Sequence, residues 1–564
     1  MASNQHIRAA RLSGWLRRNS FAPLTYLLAT AVTSAHFTAD TSDYADSIVA
    51  SMRGQYYDFW EFGHVLWRPL GWLLLRSSGT VLDGPSGGDL KAAATLVLAG
   101  LSWLAGLVTV LAMAAILRRF SGRLWAVNLT VLAFIVSHGF LNFSQSGPPY
   151  VPALSMMTLA LWVLLRKGDV QSLSAGDAVL SGTFMGLMIC FWLPFIVVVP
   201  AVVSAPLILS KPHLKQVRIL LGSALTAGLF VVLVYSAVAI GGLGIRSVGG
   251  FREWMHQTTG VALLDKNVAR SALGFARSFI HLGNDGVLFK RYLVDDPFNP
   301  VSMFDLVRLS LWKIALFYLF LASIVLSLVR SDQGRRMLAL LGLATISVVG
   351  VALYWYGGDI ERYLALYPVV FLGFALALSG ERPSRVLKAA MLMFVVSATL
   401  ANVYALSLPV QGWQQEKQTA RIADLVPRLT PSSRVFLVSY QDEVYRFSRD
   451  FPFDPINRSG KFKADSLVEV GGKDLPRWRQ DFALQAQYVW QQGGDVWVTR
   501  RVMSTRPKSE WNWVEGDDPR ISWSDFRAFF SQMELGESAG GNDGFVRVEP
   551  SATTHLAFEQ YADK

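Results

Sequence analysis

Long apolar stretches separated by short polar connections dominate the first 407 residues of the chain. A helix that crosses a bilayer needs about 20 mainly apolar residues. By that measure the pattern predicts helices near 21–38, 92–117, 124–141, 150–165, 176–192, 194–210, 217–240, 308–330, 337–355, 363–380 and 386–407. Pro194 and Pro200 interrupt the region 176–210, which reads as two short spans or one broken hairpin. Beyond residue 408 the pattern turns polar, and short β-like runs follow at Arg434 to Ser439, Asp495 to Thr499 and Gly544 to Val548. Helical patterns lie near 473–490 and 523–534, and Gly536 to Gly544 reads as a flexible loop. The expected fold class is a polytopic α-helical membrane protein of about eleven transmembrane helices. A small C-terminal α/β extracytoplasmic domain completes it.

Charge orients these spans. Arg8, Arg11, Arg17 and Arg18 precede the first one. If the spans alternate, Arg118, Arg119 and Arg123 fall on the same side, with Arg166 and Lys167, Lys211, Lys215 and Arg218, Arg330, Arg335 and Arg336, and Arg382, Arg385 and Lys388. The connection from Asn142 to Tyr150 has no Lys or Arg. The excess of Lys and Arg on cytoplasmic connections puts the N-terminus in the cytoplasm and the C-terminus outside. The expected organisation is a basic cytoplasmic segment 1–20, a transmembrane domain 21–408 with long outer loops 39–91 and 241–307, and an extracytoplasmic domain 409–564. The N-terminal arginines and apolar stretch also fit a signal peptide, but the small-residue pattern Ala29-Thr30-Ala31 is weak, so an uncleaved first span is expected. A bacterial inner (plasma) membrane is the expected location.

Composition agrees. Only 16% of the 564 residues are charged, against about 25% in an average soluble domain. The net charge of +11 does not indicate nucleic acid, because the basic residues sit in short clusters between apolar runs. One cysteine, Cys190, excludes an intrachain disulfide and a CxxC metal knuckle. No Walker, HExxH or GxSxG motif is present, and Gly241-Gly242-Leu243-Gly244 lacks a strand–helix context. Asp295, Asp296, Asn299 and Asp305 fit no cation-loop spacing and read as solvated turns. Asn457-Arg458-Ser459 is a glycosylation sequon by letter alone.

The candidate chemistry lies just after the first apolar stretch. Asp40-Thr41-Ser42-Asp43-Tyr44-Ala45-Asp46 is followed by Glu61, His64 and Arg68-Pro69-Leu70-Gly71. Carboxylates, a histidine and an arginine are costly to keep at a membrane boundary and mark function more often than packing. Tyr56, Tyr57, Phe59, Trp60, Trp67 and Trp72 give the same loop the aromatic density of an interfacial segment. The second outer loop carries Trp254, Phe275, Phe279 and Phe289 among Arg252, Arg270, Arg277, Lys290 and Arg291. It reads as amphipathic helices on the outer leaflet, near lipid phosphates.

In order and placement these motifs resemble those of the GT-C class of integral-membrane glycosyltransferases. The branch most similar contains protein O-mannosyltransferases and aminoarabinose transferases. The resemblance runs from about residue 15 to 405 and is carried by Asp40 with Tyr44, by His64 with Arg68-Pro69-Leu70-Gly71, by Ser146-Gly147-Pro148-Pro149-Tyr150, and by Glu361-Arg362-Tyr363-Leu364 with Tyr367-Pro368. It implies a polyprenyl-phosphate sugar donor, a glycan, lipid or protein acceptor, and inverting displacement on the outer face of the membrane. Asp40 would be the general base. The acid that often follows it in the family is replaced by Thr41. Asp43 either substitutes for that acid or caps the helix beginning near Tyr44. Arg68, Arg362 and Arg291 would hold the donor phosphate, although Arg68 also fits snorkelling beside Trp67 and Trp72. His64, Glu61 and Tyr44 would position acceptor or sugar, and Glu361 could instead pair with Arg362. No cofactor is established and no metal ligand set is assigned, and a divalent cation stays open. A lipid-linked-sugar flippase and a non-catalytic assembly protein of envelope polysaccharide are the alternative functions. Transporters carry repeats and ionisable residues at mid-membrane depth, whereas here the acids gather at the outer boundary.

Overall fold

The computed structural model describes residues 20–35, 40–56, 59–77, 87–167, 173–209, 214–259, 267–283, 288–289, 292, 301–354, 357–380, 384–438, 444–445, 447, 451, 453–467, 478–503, 523–541 and 544–562. Two compact units emerge, one holding Met1–Ser78, Leu96–Leu288 and Met303–Leu408, the other Gly79–Thr95, Phe289–Ser302 and Pro409–Lys564.

Every apolar stretch expected to span the membrane falls on a helix. Six are long and apolar enough to cross: Leu90–Phe120, Val217–Gly242, Met303–Leu328, Asp332–Tyr354, Ile360–Ser379 and Arg385–Ala405. Phe21–Val32, Leu124–Ile135, Tyr150–Leu165, Ala175–Phe191 and Leu193–Leu209 are shorter apolar helices. The first helix ends at Val32 rather than 38, because Thr33 leaves it to form a β-bridge with Ser407. The chain is a multi-pass membrane protein.

One helix sits at the centre. In Ile360–Ser379, 89% of the apolar window is buried, against 17–39% in the other five long helices. Its aromatic side chains pack inward: Tyr367 and Phe371 meet Phe134 and Phe279 at ring separations of 4.5–6.0 Å. The outer helices show the reverse, as apolar surface facing lipid requires. Leu225, Leu229, Val232 and Leu233 of Leu214–Ala237 are 58–75% exposed.

Two of the basic connections meet at one end of the bundle. Ser121 is hydrogen-bonded to Ser379, and the Lys388 ammonium lies 5.9 Å from the Trp125 ring. Asp177 anchors another connection. It closes a capping box with Ser174 and pairs with Arg166 at 2.7 Å and Lys167 at 2.6 Å. That is structural electrostatics, with the acid satisfied four ways. The two cations are about one-third exposed, so solvent screens part of the gain. Asp177→Asn is expected to cost about 1–2 kcal/mol, measured as a lower thermal midpoint in detergent. An unaltered midpoint would show that the pairs add nothing.

The second unit contains the expected small α/β fold. Its strands are β1 (Arg434–Leu437), β2 (Ala464–Ser466), β3 (Val496–Thr499), β4 (Leu535–Ala539) and β5 (Phe545–Val548), in the order β2-β1-β3-β5-β4. The β2-β1-β3 pairs are parallel and the β3-β5 and β5-β4 pairs antiparallel. Side chains alternate between two cores, as a two-residue period requires. Phe436, Val496 and Val498 join Trp478 and Phe482 on one face, while Val435, Leu437 and Trp497 join Ile422 and Leu425 on the other. The loop expected at Gly536 to Gly544 begins as strand: β4 occupies Leu535–Ala539 and pairs with β5. The glycines that suggested a loop serve the turn. Gly540 and Gly541 have φ of +71° and +32°, which glycine adopts without strain. Asn457 uses its amide internally, donating to the carbonyls of Phe447 and Phe451 at 3.0 and 2.8 Å.

Candidate active site

The site is assembled from four sequence regions of the first unit. Asp40 stands immediately before the helix Thr41–Met52, in the cap position, yet makes no capping bond. Its Oδ2 accepts hydrogen bonds from the hydroxyls of Tyr44, at 3.3 Å, and Tyr150, at 3.2 Å. Asp40 itself is half-buried, while Tyr44 and Tyr150 are buried. Thr41, the residue standing where the family often has a second acid, is buried and accepts from the Gly147 N–H at 2.9 Å. Its role here is to dock the turn that carries Tyr150. Gly147 is needed for that approach, since a Cβ there would lie 2.6 Å from the Thr41 methyl and 2.9 Å from Leu98. The Trp67 indole donates to the Gly147 carbonyl at 2.8 Å. Asp43 is exposed on the first turn. Because the helix begins at Thr41, Asp43 cannot be its cap, and that reading is corrected.

The loop residues expected to act together do meet. The Arg68 guanidinium lies 2.8 Å from Glu61 Oε2 and 5.1 Å from the centre of the Tyr44 ring. His64 Nδ1 is 3.2 Å from Glu61 Oε1, and its Nε2 is 3.5 Å from the Tyr44 hydroxyl. Burial alone would raise the Glu61 carboxyl, but His64 and Arg68 outweigh it and hold the group at about 2. Burial, then the charges of Asp40 and Glu61, push the Tyr44 phenol well above its usual range, with Arg68 opposing. Tyr44 is therefore a protonated donor to Asp40. Arg68 is 7% exposed and Trp67 1% exposed, so neither snorkels to an interface. The interfacial reading of this loop is corrected for Trp67 and Phe59, which are buried in the protein.

A proline explains how this loop finds its seat. The helix Ala175–Phe191 cannot run on, because Pro194 has no N–H to offer the Cys190 carbonyl. The Leu66 N–H takes that carbonyl instead, at 3.3 Å. The same break leaves Trp192 extended, with φ −149° and ψ 102°. Trp192 then lies against Tyr150, ring centres 4.6 Å apart, with the Arg362 guanidinium 5.7 Å from its own centre.

Arg362 and Glu361 come from the 3₁₀ segment Ile360–Leu366, which opens the central helix. Arg362 pairs with Asp359 at 3.6 Å and Glu361 at 3.9 Å, so both the pairing and the site placement of this segment occur together. The helix Val268–Phe279 holds the segment in place. A Cβ on Gly274 would lie 2.1 Å from the Gly357 carbonyl, which only glycine permits. Arg277 donates to the Gly358 carbonyl at 3.0 Å, and the Tyr363 hydroxyl to those of Ser271 and Gly357. This loop does form two helices, but Trp254 and Phe279 are buried and Arg277 is used internally, so only part of it can face lipid. Arg252 is exposed, and Arg291 and Lys290 lie outside the described residues.

Asp40, Glu361, Arg362 and Tyr150 are within electrostatic reach of one another, although some 320 residues separate the first acid from the second. Tyr150 and Trp192 were not assigned roles by the sequence. The Pro148-Pro149-Tyr150 turn was a signal for the first, and nothing in the sequence marked the second. Among the described residues, no group of three or more His, Cys, Asp or Glu side chains is placed to hold a metal ion.

No protein-family model and no curated protein matches the chain. Solved structures do. ArnT from Cupriavidus metallidurans bound to undecaprenyl phosphate is similar with 11% identity and a TM-score of 0.50, over 96% of this chain and 99% of that one. An archaeal oligosaccharyltransferase, AglB from Archaeoglobus fulgidus in complex with an inhibitory peptide and a dolichol-phosphate, has 15% identity and a TM-score of 0.43, over 97% of this chain and 78% of that one. The chain has the GT-C membrane fold.

Proposed function

We propose that the protein is a membrane glycosyltransferase. It moves a sugar from a polyprenyl-phosphate donor to an acceptor hydroxyl on the outer face of a bacterial inner membrane. The observation that carries this reading is the meeting of Asp40 with Arg362 and Glu361 beside the Arg68–Glu61–His64 cluster, at the end of the bundle away from the basic connections. Undecaprenyl phosphate bound to ArnT, a protein of the same fold, supports the donor class.

The reaction needs a base and an anion site. The acceptor oxygen attacks the anomeric carbon from the face opposite the phosphate, and its proton passes to Asp40. The bond from that carbon to the phosphate oxygen breaks, the lipid phosphate departs with the electron pair, and configuration inverts. A positioned carboxylate contributes about 10²–10⁴-fold to such a step. Arg362 and Arg68 offer fixed positive donors to the departing phosphate, and such preorganised donors act strongly where water is excluded. Asp43, exposed one turn beyond Asp40, is left a lesser part in proton removal. His64 and Tyr44 line the acceptor side. The N-terminus lies in the cytoplasm and the C-terminal domain outside, with the transmembrane domain at 21–408 and the extracytoplasmic domain at 409–564.

Mass analysis of lipid-linked and surface glycans from a strain lacking the gene tests the reading. The expected result is one glycan short of a single sugar, with the donor lipid accumulating. An unchanged glycan profile would overturn it. Intact donor trapped on the cytoplasmic leaflet would instead indicate a flippase.

A further inference from the structure

We propose that Tyr150 and Tyr44 form a two-phenol clamp that fixes the Asp40 carboxylate by one oxygen and turns the other toward the acceptor. This rests on the reading of Asp40 as the base. Both hydroxyls converge on Oδ2, at 3.2 and 3.3 Å. Among the described residues, Oδ1 receives no hydrogen bond. A carboxylate gripped on one oxygen by two neutral donors loses its freedom to rotate, and its second oxygen becomes the atom available to a substrate proton.

The two arms are themselves held. Tyr150 is 4% exposed and packs between Phe143 and Trp192, with ring centres 4.9 and 4.6 Å away. Tyr44 is 1% exposed, under Arg68 and edge-on to His64. The Tyr44 phenol stays protonated through burial, reinforced by Asp40 and Glu61. The groups that face Asp40 are Tyr44 on its own helix, Tyr150 on the next element of the site, and Glu361 and Arg362 on the central helix. Among the described residues, only the two tyrosines hydrogen-bond its carboxylate. Tyr150 is thus a positioning residue, and Trp192 connects it to Arg362, so base and phosphate site share one rigid wall.

The test needs no knowledge of the sugar. A water-soluble carbodiimide with glycine ethyl ester labels a carboxyl group in its protonated form, and peptide mass spectrometry reports the labelling of Asp40 across pH in the purified full-length protein. In Tyr150→Phe, which keeps the ring and its packing, the pH of half-labelling is expected to rise, because the carboxylate has lost a donor. In the same variant, sugar transfer in the complemented deletion strain falls about tenfold, and binding of undecaprenyl phosphate is unchanged. Tyr44→Phe acts in the same direction, and the double variant further. A half-labelling pH equal to that of the wild type in both single variants would overturn the clamp. Should the labelling shift while Asp40→Asn still transfers sugar, the clamp stands and the assignment of Asp40 as base fails.

Discussion

Asp40→Asn is expected to lower sugar transfer by about 10²–10⁴-fold, the range a positioned general base contributes. The substitution conserves shape and should leave expression and membrane insertion intact. Its chemistry is inverted at the atom that matters. The two phenols donate to Oδ2, so in the variant they select the amide oxygen for that place. The amide nitrogen, a donor, then occupies the position where the substrate hydroxyl needs an acceptor. Glycans from the deletion strain complemented with the variant should match those of the uncomplemented strain. Undecaprenyl phosphate binding should persist, because the carboxylate is not part of the anion site. Undiminished transfer would remove Asp40 from the mechanism, and the base would then have to be sought at another carboxyl group of the site, Glu361 first.

Arg362→Ala should weaken binding of the donor lipid by about 10- to 100-fold, as loss of a hydrogen bond to a charged group implies. The readout is binding of undecaprenyl phosphate to the purified protein, compared with acceptor-dependent kinetics in cells. The variant also removes the guanidinium beside the buried Glu361 side chain, and breaking a buried pair by removing one partner is destabilising. Arg362→Lys separates the two effects. It keeps the charge that balances Glu361 and loses the planar fork that suits a phosphate. The expected outcome is normal thermal stability with affinity still reduced. Donor affinity equal to wild type in both variants would move the phosphate site to Arg68.

The helices were legible because lipid imposes a simple rule. Backbone polar groups must be satisfied within a segment, and the outward side chains must be apolar, so each span appears as an uninterrupted hydrophobic run. The strands β1, β3 and β5 were legible for the related reason that side chains on the C-terminal sheet alternate between two cores, whereas β2 and β4 were not. Their limits were less so. The hairpin at Gly536 to Gly544 was hidden because glycines that permit a turn and glycines that mark a loop are the same letter, and only pairing with β5 distinguishes them.

The site was half legible. Asp40, Glu61, His64, Arg68 and Arg362 stand out individually because charge near a membrane demands a reason. Their companions do not. Tyr150 and Trp192 look like ordinary aromatic residues of apolar helices, and Thr41 looks like a missing acid, until the hydrogen bonds to Asp40 and Gly147 are seen.

By itself the sequence determined a basic, helix-rich membrane chain, the approximate position of each apolar segment, a polar α/β tail, and a short set of charged residues too costly to be incidental. The tertiary structure decided which of those residues share a pocket, which oxygen of Asp40 is held, and that a proline-broken helix seats the loop bearing Arg68. The physical reason is distance along the chain. Hydrophobicity acts through local composition, whereas contacts between Asp40, Tyr150 and Arg362 depend on how helices hundreds of residues apart come to pack.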